Sequence, residues 1–133
     1  MRKYNHSGDE KLWATLAHLS IVPVVTLQGL GLFVTMFIFY FKRRTSPWLA
    51  FQTLQALTFQ AIIFTLFLLL RLIPDDMLGN SNSYTSMAFW IQVGVIVVFM
   101  GAVMGAVRCA IGYNFRYPII GNPIQRRFRV REE

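Results

Sequence analysis

The sequence predicts an all-α membrane protein: a small transmembrane helical bundle of four helices that begins with a short N-terminal hairpin, or of three spans if its first tract is continuous. Three observations predict it. Leu12–Phe41, Pro47–Leu70 and Met77–Val107 contain no Asp, Glu, Lys or Arg. An uncharged apolar run of more than about 18 residues can cross a hydrocarbon core roughly 30 Å thick. Charged residues make up 14% of the 133, where a soluble domain carries about 25%. The ends of the tracts are marked by basic residues, proline and helix-capping serine.

In the first tract, 30 residues in one straight helix would reach about 45 Å and overshoot the bilayer. Pro23 and Gln28-Gly29-Leu30-Gly31 supply a break, because proline removes a backbone donor and glycine tolerates a turn. Two short helices then form a hairpin whose turn needs shielding by neighbouring helices or a locally thinned bilayer. Lys42-Arg43-Arg44 closes the tract. Ser46-Pro47 starts the next helix, with serine as the cap and proline at the first helical position, and Pro74-Asp75-Asp76 stops it after Ile73. Arg71 and Asp75 stand four apart and are expected to pair. Gly79–Ser86 reads as a polar loop. The last helix begins near Tyr84 or Met87 and reaches Tyr113 or beyond.

The net charge of +7 sits at the tract ends and in the tail. In a membrane protein this charge reports orientation rather than nucleic acid, since Lys and Arg collect on the cytoplasmic side. With Lys42, Arg43, Arg44, Arg116, Arg126, Arg127, Arg129 and Arg131 cytoplasmic, Asp75 and Asp76 fall outside, and a hairpin brings Arg2, Lys3 and Lys11 inside as well. Residues 1–11 form a cytoplasmic segment, 12–118 the bundle, and 119–133 a basic cytoplasmic tail resting on anionic lipid. The expected location is the bacterial inner membrane, with several passes and the C-terminus cytoplasmic. Asp9 and Glu10 interrupt the N-terminal basic pair, so this end reads as retained rather than cleaved. The one cysteine, Cys109, excludes an internal disulfide.

Several side chains carry more than bulk hydrophobicity. Gly94, Gly101, Gly105 and Gly112 recur at spacings of seven, four and seven, a stripe on one face of the last helix that permits close backbone approach to another helix. Arg108 lies near that stripe, placed either to snorkel to the interface or to meet a phosphate or carboxylate. Gln52, Gln55 and Gln60 share a broad face of the second tract. They point into the bundle, as interhelical hydrogen-bond glue or as the lining of a hydrated path. His18, alone in the first tract, is a satisfied bundle histidine or the ligand of a metal or pigment. No paired intramembrane carboxylates, nucleophile elbow, phosphate-binding loop or metal cluster occurs, so neither an enzyme nor a metal or other cofactor is expected.

Leu16-Ala17-His18-Leu19-Ser20, the glycine break, Lys42, Ser46-Pro47, Gln52, Gln55-Ala56-Leu57, Phe59-Gln60 and Gly112…Phe115-Arg116-Tyr117-Pro118 together resemble a bacterial family of small membrane proteins of unknown function. That family is similar to the small membrane subunit of the chloroplast inner-envelope import translocon. Thr58 stands where the family segment has Asn. The resemblance implies a four-helix bundle and favours the hairpin. The expected function is a non-enzymatic accessory or scaffold subunit of a larger membrane complex. Its expected partners are the bilayer, anionic lipids and other membrane protein subunits, and no nucleic acid. Alternatives are a translocation or permeation component lined by the glutamines and His18, and a pigment- or metal-binding subunit using His18.

Overall fold

A computed structural model describes residues 6–22, 27, 29–79, 82, 85–117, 120–121 and 123–124. Pro23, Gln28, Tyr84, Pro118, Arg2, Lys3, Arg126, Arg127, Arg129 and Arg131 lie outside the described residues. Five helices and no strand occur among those described: α1 (Gly8–Leu19), α2 (Leu30–Lys42), α3 (Pro47–Leu70), α4 (Asp75–Leu78) and α5 (Met87–Ile111).

α1 starts ahead of the uncharged tract because Ser7 and Glu10 form a reciprocal capping box, with both bonds at 3.2 Å. Asp9 and Glu10 lie in its first turn, where carboxylates favour the helix dipole. The tract breaks as expected. Gly29 takes φ 98° in the left-handed region and opens α2, while α1 has ended at Leu19. α1 and α2 form an antiparallel hairpin: the Lys42 ammonium lies 4.8 Å from the centre of the Trp13 ring, and the Ser20 and Thr35 hydroxyls bond near the other end.

A Cβ on Gly29 would come within 2.8 Å of Phe64 Cε2, so the hairpin end packs against α3 deep in the apolar zone. Gly29→Ala should therefore cost about 1–2 kcal/mol, chiefly from the left-handed backbone. A lower unfolding midpoint in detergent is expected, and an unchanged one would contradict this account of the turn.

Ser46 Oγ accepts from Leu49 N at 3.1 Å and Pro47 opens α3, as the sequence predicts. α3 ends at Leu70 rather than Ile73, with residues 71–73 forming turns. The expected Arg71–Asp75 pair is not among the ion pairs of the described residues. The Arg71 guanidinium lies 5.1 Å from the Phe67 ring centre instead. Asp75 and Asp76, which the sequence marks only as the stop of the preceding helix, open the short α4. Ser86 caps α5 by accepting from Phe89 N at 3.2 Å. α5 ends at Ile111 because Gly112, at φ 88°, lets Tyr113 N bond back to Arg108 O at 2.9 Å.

α3 and α5 are long and apolar enough to cross a membrane. Only 22% and 6% of their most apolar stretches are buried within the chain, unlike core helices of soluble proteins. α1 occupies the centre, packed against α2, α3 and α5. It meets α5 where small residues allow close approach: Thr15 Oγ1 lies 3.4 Å from Ala106 O, His18 faces Gly105, and Ala14 packs in one cluster with Cys109.

Candidate functional site

Buried polar side chains gather in two clusters along α3, where Gln52, Gln55 and Gln60 are fully buried. In the first, around Gln60, Nε2 donates to Ala17 O at 2.8 Å and to Ser20 Oγ at 3.0 Å. Gln60 Oε1 accepts from Thr35 Oγ1 at 2.7 Å, and Ser20 and Thr35 bond to each other. With Ser20 donating to Thr35, the three side chains close a ring in which each donates to the next, an arrangement that strengthens its members. It ties α1, α2 and α3 together.

The second cluster joins α3 to the segment after α5. Gln55 Nε2 donates to Phe115 O at 3.0 Å and its Oε1 accepts from Tyr117 N at 3.1 Å. Both partners are backbone groups of fixed polarity, so they set the amide's orientation. Gln52 Nε2 donates to Asn114 Oδ1 at 2.8 Å and to Phe115 O at 3.2 Å. Its Oε1 therefore faces His18 Nε2, 3.4 Å away, and accepts. That assigns the His18 proton to Nε2 and leaves Nδ1 to accept from Tyr117 Oη at 3.1 Å. Cys109 Sγ reaches the same Gln52 oxygen at 3.5 Å. Aromatic faces seal the cluster, with Phe59 stacked on Tyr117 at 4.2 Å and Phe115 edge-on to His18 at 5.7 Å.

Both His18 ring nitrogens are thus engaged inside the protein. No cluster of three or more His, Cys, Asp or Glu able to hold a metal occurs among the described residues. At the surface end, His6 stacks on Trp48 at 3.9 Å and meets Glu10 at 3.5 Å. Burial lowers its pKa below the usual histidine value, against the opposing pull of Glu10.

The glycine stripe divides. A Cβ on Gly105 would lie 2.9 Å from His18 Nδ1 and 3.0 Å from the Phe115 ring, so this glycine serves contact within the chain. Gly112 is a helix stop and not part of a helical face. A Cβ on Gly94 or Gly101 would meet nothing within 4 Å. Arg108 is partly exposed in the last turn of α5. It sits at one side of an open groove of about 700 Å³ lined also by Phe99, Met100, Met104, Val107 and Tyr113. Lys42 is half-buried, and Arg43 and Arg44 are exposed beyond the end of α2. Arg43 lies 5.5 Å from the Tyr40 ring centre. Arg116 is half-buried after α5.

The sequence does not mark Thr35 or Asn114, and Ser20 enters only through the Leu16-Ala17-His18-Leu19-Ser20 segment. The hydroxyls were silent because serine and threonine in an apolar helix can bond their own helix carbonyls, as Thr35 also does to Gly31 O at 3.0 Å. Tyr117 carried a signal only as part of the Phe115-Arg116-Tyr117-Pro118 ending.

No curated protein matches the chain, and no solved structure matches it. The family that does match is not the import-translocon subunit family which the quoted segments resemble. The match spans residues 9–124 and is to the magnetosome magnetite crystal formation protein family, MamF/MmsF: the chain belongs to that family and is a small bacterial membrane protein.

Proposed function

We propose that this chain is a non-enzymatic structural subunit of a larger assembly in the magnetosome membrane, contributing to magnetite crystal formation by organising other membrane proteins. The observation that carries this reading is the use of the polar intramembrane side chains. Gln52, Gln55, Gln60 and His18 spend their hydrogen bonds on the chain's own backbone and side chains. A permeation path or a ligand site needs such groups turned towards a lumen or an open coordination position. Family membership supports involvement in crystal formation. It favours neither a scaffold nor a translocation role.

The positive-inside rule orients the molecule with Lys11, Lys42–Arg44 and Arg116 cytoplasmic and Asp75-Asp76 on the far side. Arg108 and the basic tail then lie at the cytoplasmic interface, where each cation near anionic lipid contributes about 1 kcal/mol.

The open part of the glycine stripe is the docking face for a second membrane helix. Gly94→Leu with Gly101→Leu should leave the fold intact, since neither Cβ meets a neighbour. The double variant should lose co-migration with its partners in a native gel of mild-detergent extracts. Unchanged co-migration would overturn the docking reading. Purified protein in liposomes should leave them tight to protons and iron ions. Protein-dependent flux would favour the translocation reading instead.

A further inference from the structure

The mass of the molecule is unevenly distributed along the membrane normal. α3 and α5, at 24 and 25 residues, run about 36 and 37 Å, whereas α1 and α2, at 12 and 13 residues, run about 18 and 20 Å. The buried residues of α3 all lie between Trp48 and Gln60, and those of α5 between Ala102 and Cys109. These stretches share one end, because Gln52 and Gln55 hold the Asn114–Tyr117 segment that follows α5. Lys11, Lys42–Arg44 and Arg116 belong to that end too.

Beyond Gln60 on α3 and before Gly101 on α5, the helices expose Leu66, Leu68, Leu69, Trp90, Ile96 and Val97. These are side chains that lipid tails solvate without penalty. The hairpin end, where Gly29 meets Phe64, stops six residues short of the end of α3, so four helices and a return segment fill the basic end while α3 and α5 continue past the hairpin to the opposite face.

We propose that the chain is a wedge that selects curved membrane, with its broad basic end in the convex leaflet. A body wider in one leaflet expands that leaflet relative to the other. The elastic cost falls where the bilayer already bends that way, as it does for shallow amphipathic insertions. The ligand is a lipid surface of defined curvature, and the polar ring of Gln60, Ser20 and Thr35 is what keeps the hairpin wedged beside α3. This goes beyond the structural-subunit reading and does not depend on it, because the purified chain is tested alone.

The full chain, with a fluorophore at its C-terminus, is reconstituted into giant vesicles whose two leaflets have the same mixture of neutral and anionic phospholipid, and thin tethers are drawn outward. An external quencher separates molecules with the basic end outside from those with it inside. The first population should be enriched in the tether relative to a lipid dye, increasingly as the tether narrows, and the second should be depleted. Equal partitioning of both populations at every tether radius, or the reverse order, would overturn the proposal. Because opposite orientations of one molecule serve as each other's control, no destabilised variant is needed.

Discussion

Replacing Gln55 with leucine should destabilise the bundle by about 2–4 kcal/mol, clearly more than the same replacement at Gln60. Gln55 is bonded to non-helical backbone. Tyr117 N has Gln55 Oε1 as its acceptor, and Phe115 O keeps only the longer bond from Gln52 once Gln55 is gone. A buried N–H without an acceptor costs about 1–3 kcal/mol, and the return segment would loosen with it. At Gln60 the partners have alternatives. Ser20 Oγ already reaches Ala17 O at 2.8 Å, and Thr35 Oγ1 reaches Gly31 O at 3.0 Å. Gln60→Leu should therefore cost about 1 kcal/mol, in the range of interhelical side-chain bonds in membranes. The order of the two losses, read from unfolding in detergent or bicelles, is the discriminating result. Equal or reversed losses would contradict the assignment of Gln55 as the fastener of the return segment.

Gly105→Ala should destabilise by about 1–3 kcal/mol, while Gly101→Ala, four residues away, should be neutral within about 0.5 kcal/mol. The added methyl at Gly105 meets His18 Nδ1 at 2.9 Å and two Phe115 ring atoms at 3.0 Å. Neither ring has room to retreat, since His18 is bonded to Gln52 and Tyr117 and Phe115 packs on Tyr117. At Gly101 the methyl points into open space, and alanine is the better helix former. A comparable loss at both sites would mean that α1 does not sit against α5 as described.

The sequence carried the membrane segments plainly, because absence of charge over 24 or more residues is a physical requirement of the bilayer and not a preference. The hairpin was legible through Gly29, whose lack of a Cβ permits φ 98°. Ser46-Pro47 fixed the start of α3 in the same way. The fate of the glycine stripe was not legible. Spacing alone puts Gly105 and Gly101 on related faces, and only the position of α1 decides that one is covered and the other open. Gly112 illustrates the same limit, since a glycine at helical spacing and a glycine that ends a helix look alike in one dimension. The partners of the glutamines were hidden for a different reason. Tyr117 and Phe115 present backbone groups to Gln55, and any residue supplies a backbone group. The resemblance led to a small bacterial membrane protein family, as the match shows, but to a different one from the family that matches.

If the polar residues within the membrane are internal fasteners in a closed cluster that excludes water, Cys109 is shielded with them. It is the only cysteine of the chain, it is fully buried, and its sulfur touches the Gln52 oxygen at the middle of the cluster. Reaction with a small water-soluble thiol reagent can be followed by mass spectrometry on the native protein in liposomes and after denaturation in strong detergent. Folded Cys109 should remain unmodified, and denaturation should make modification complete. Modification of folded Cys109 at the rate of an exposed thiol would place water among His18, Gln52 and Gln55, and would contradict the closed cluster.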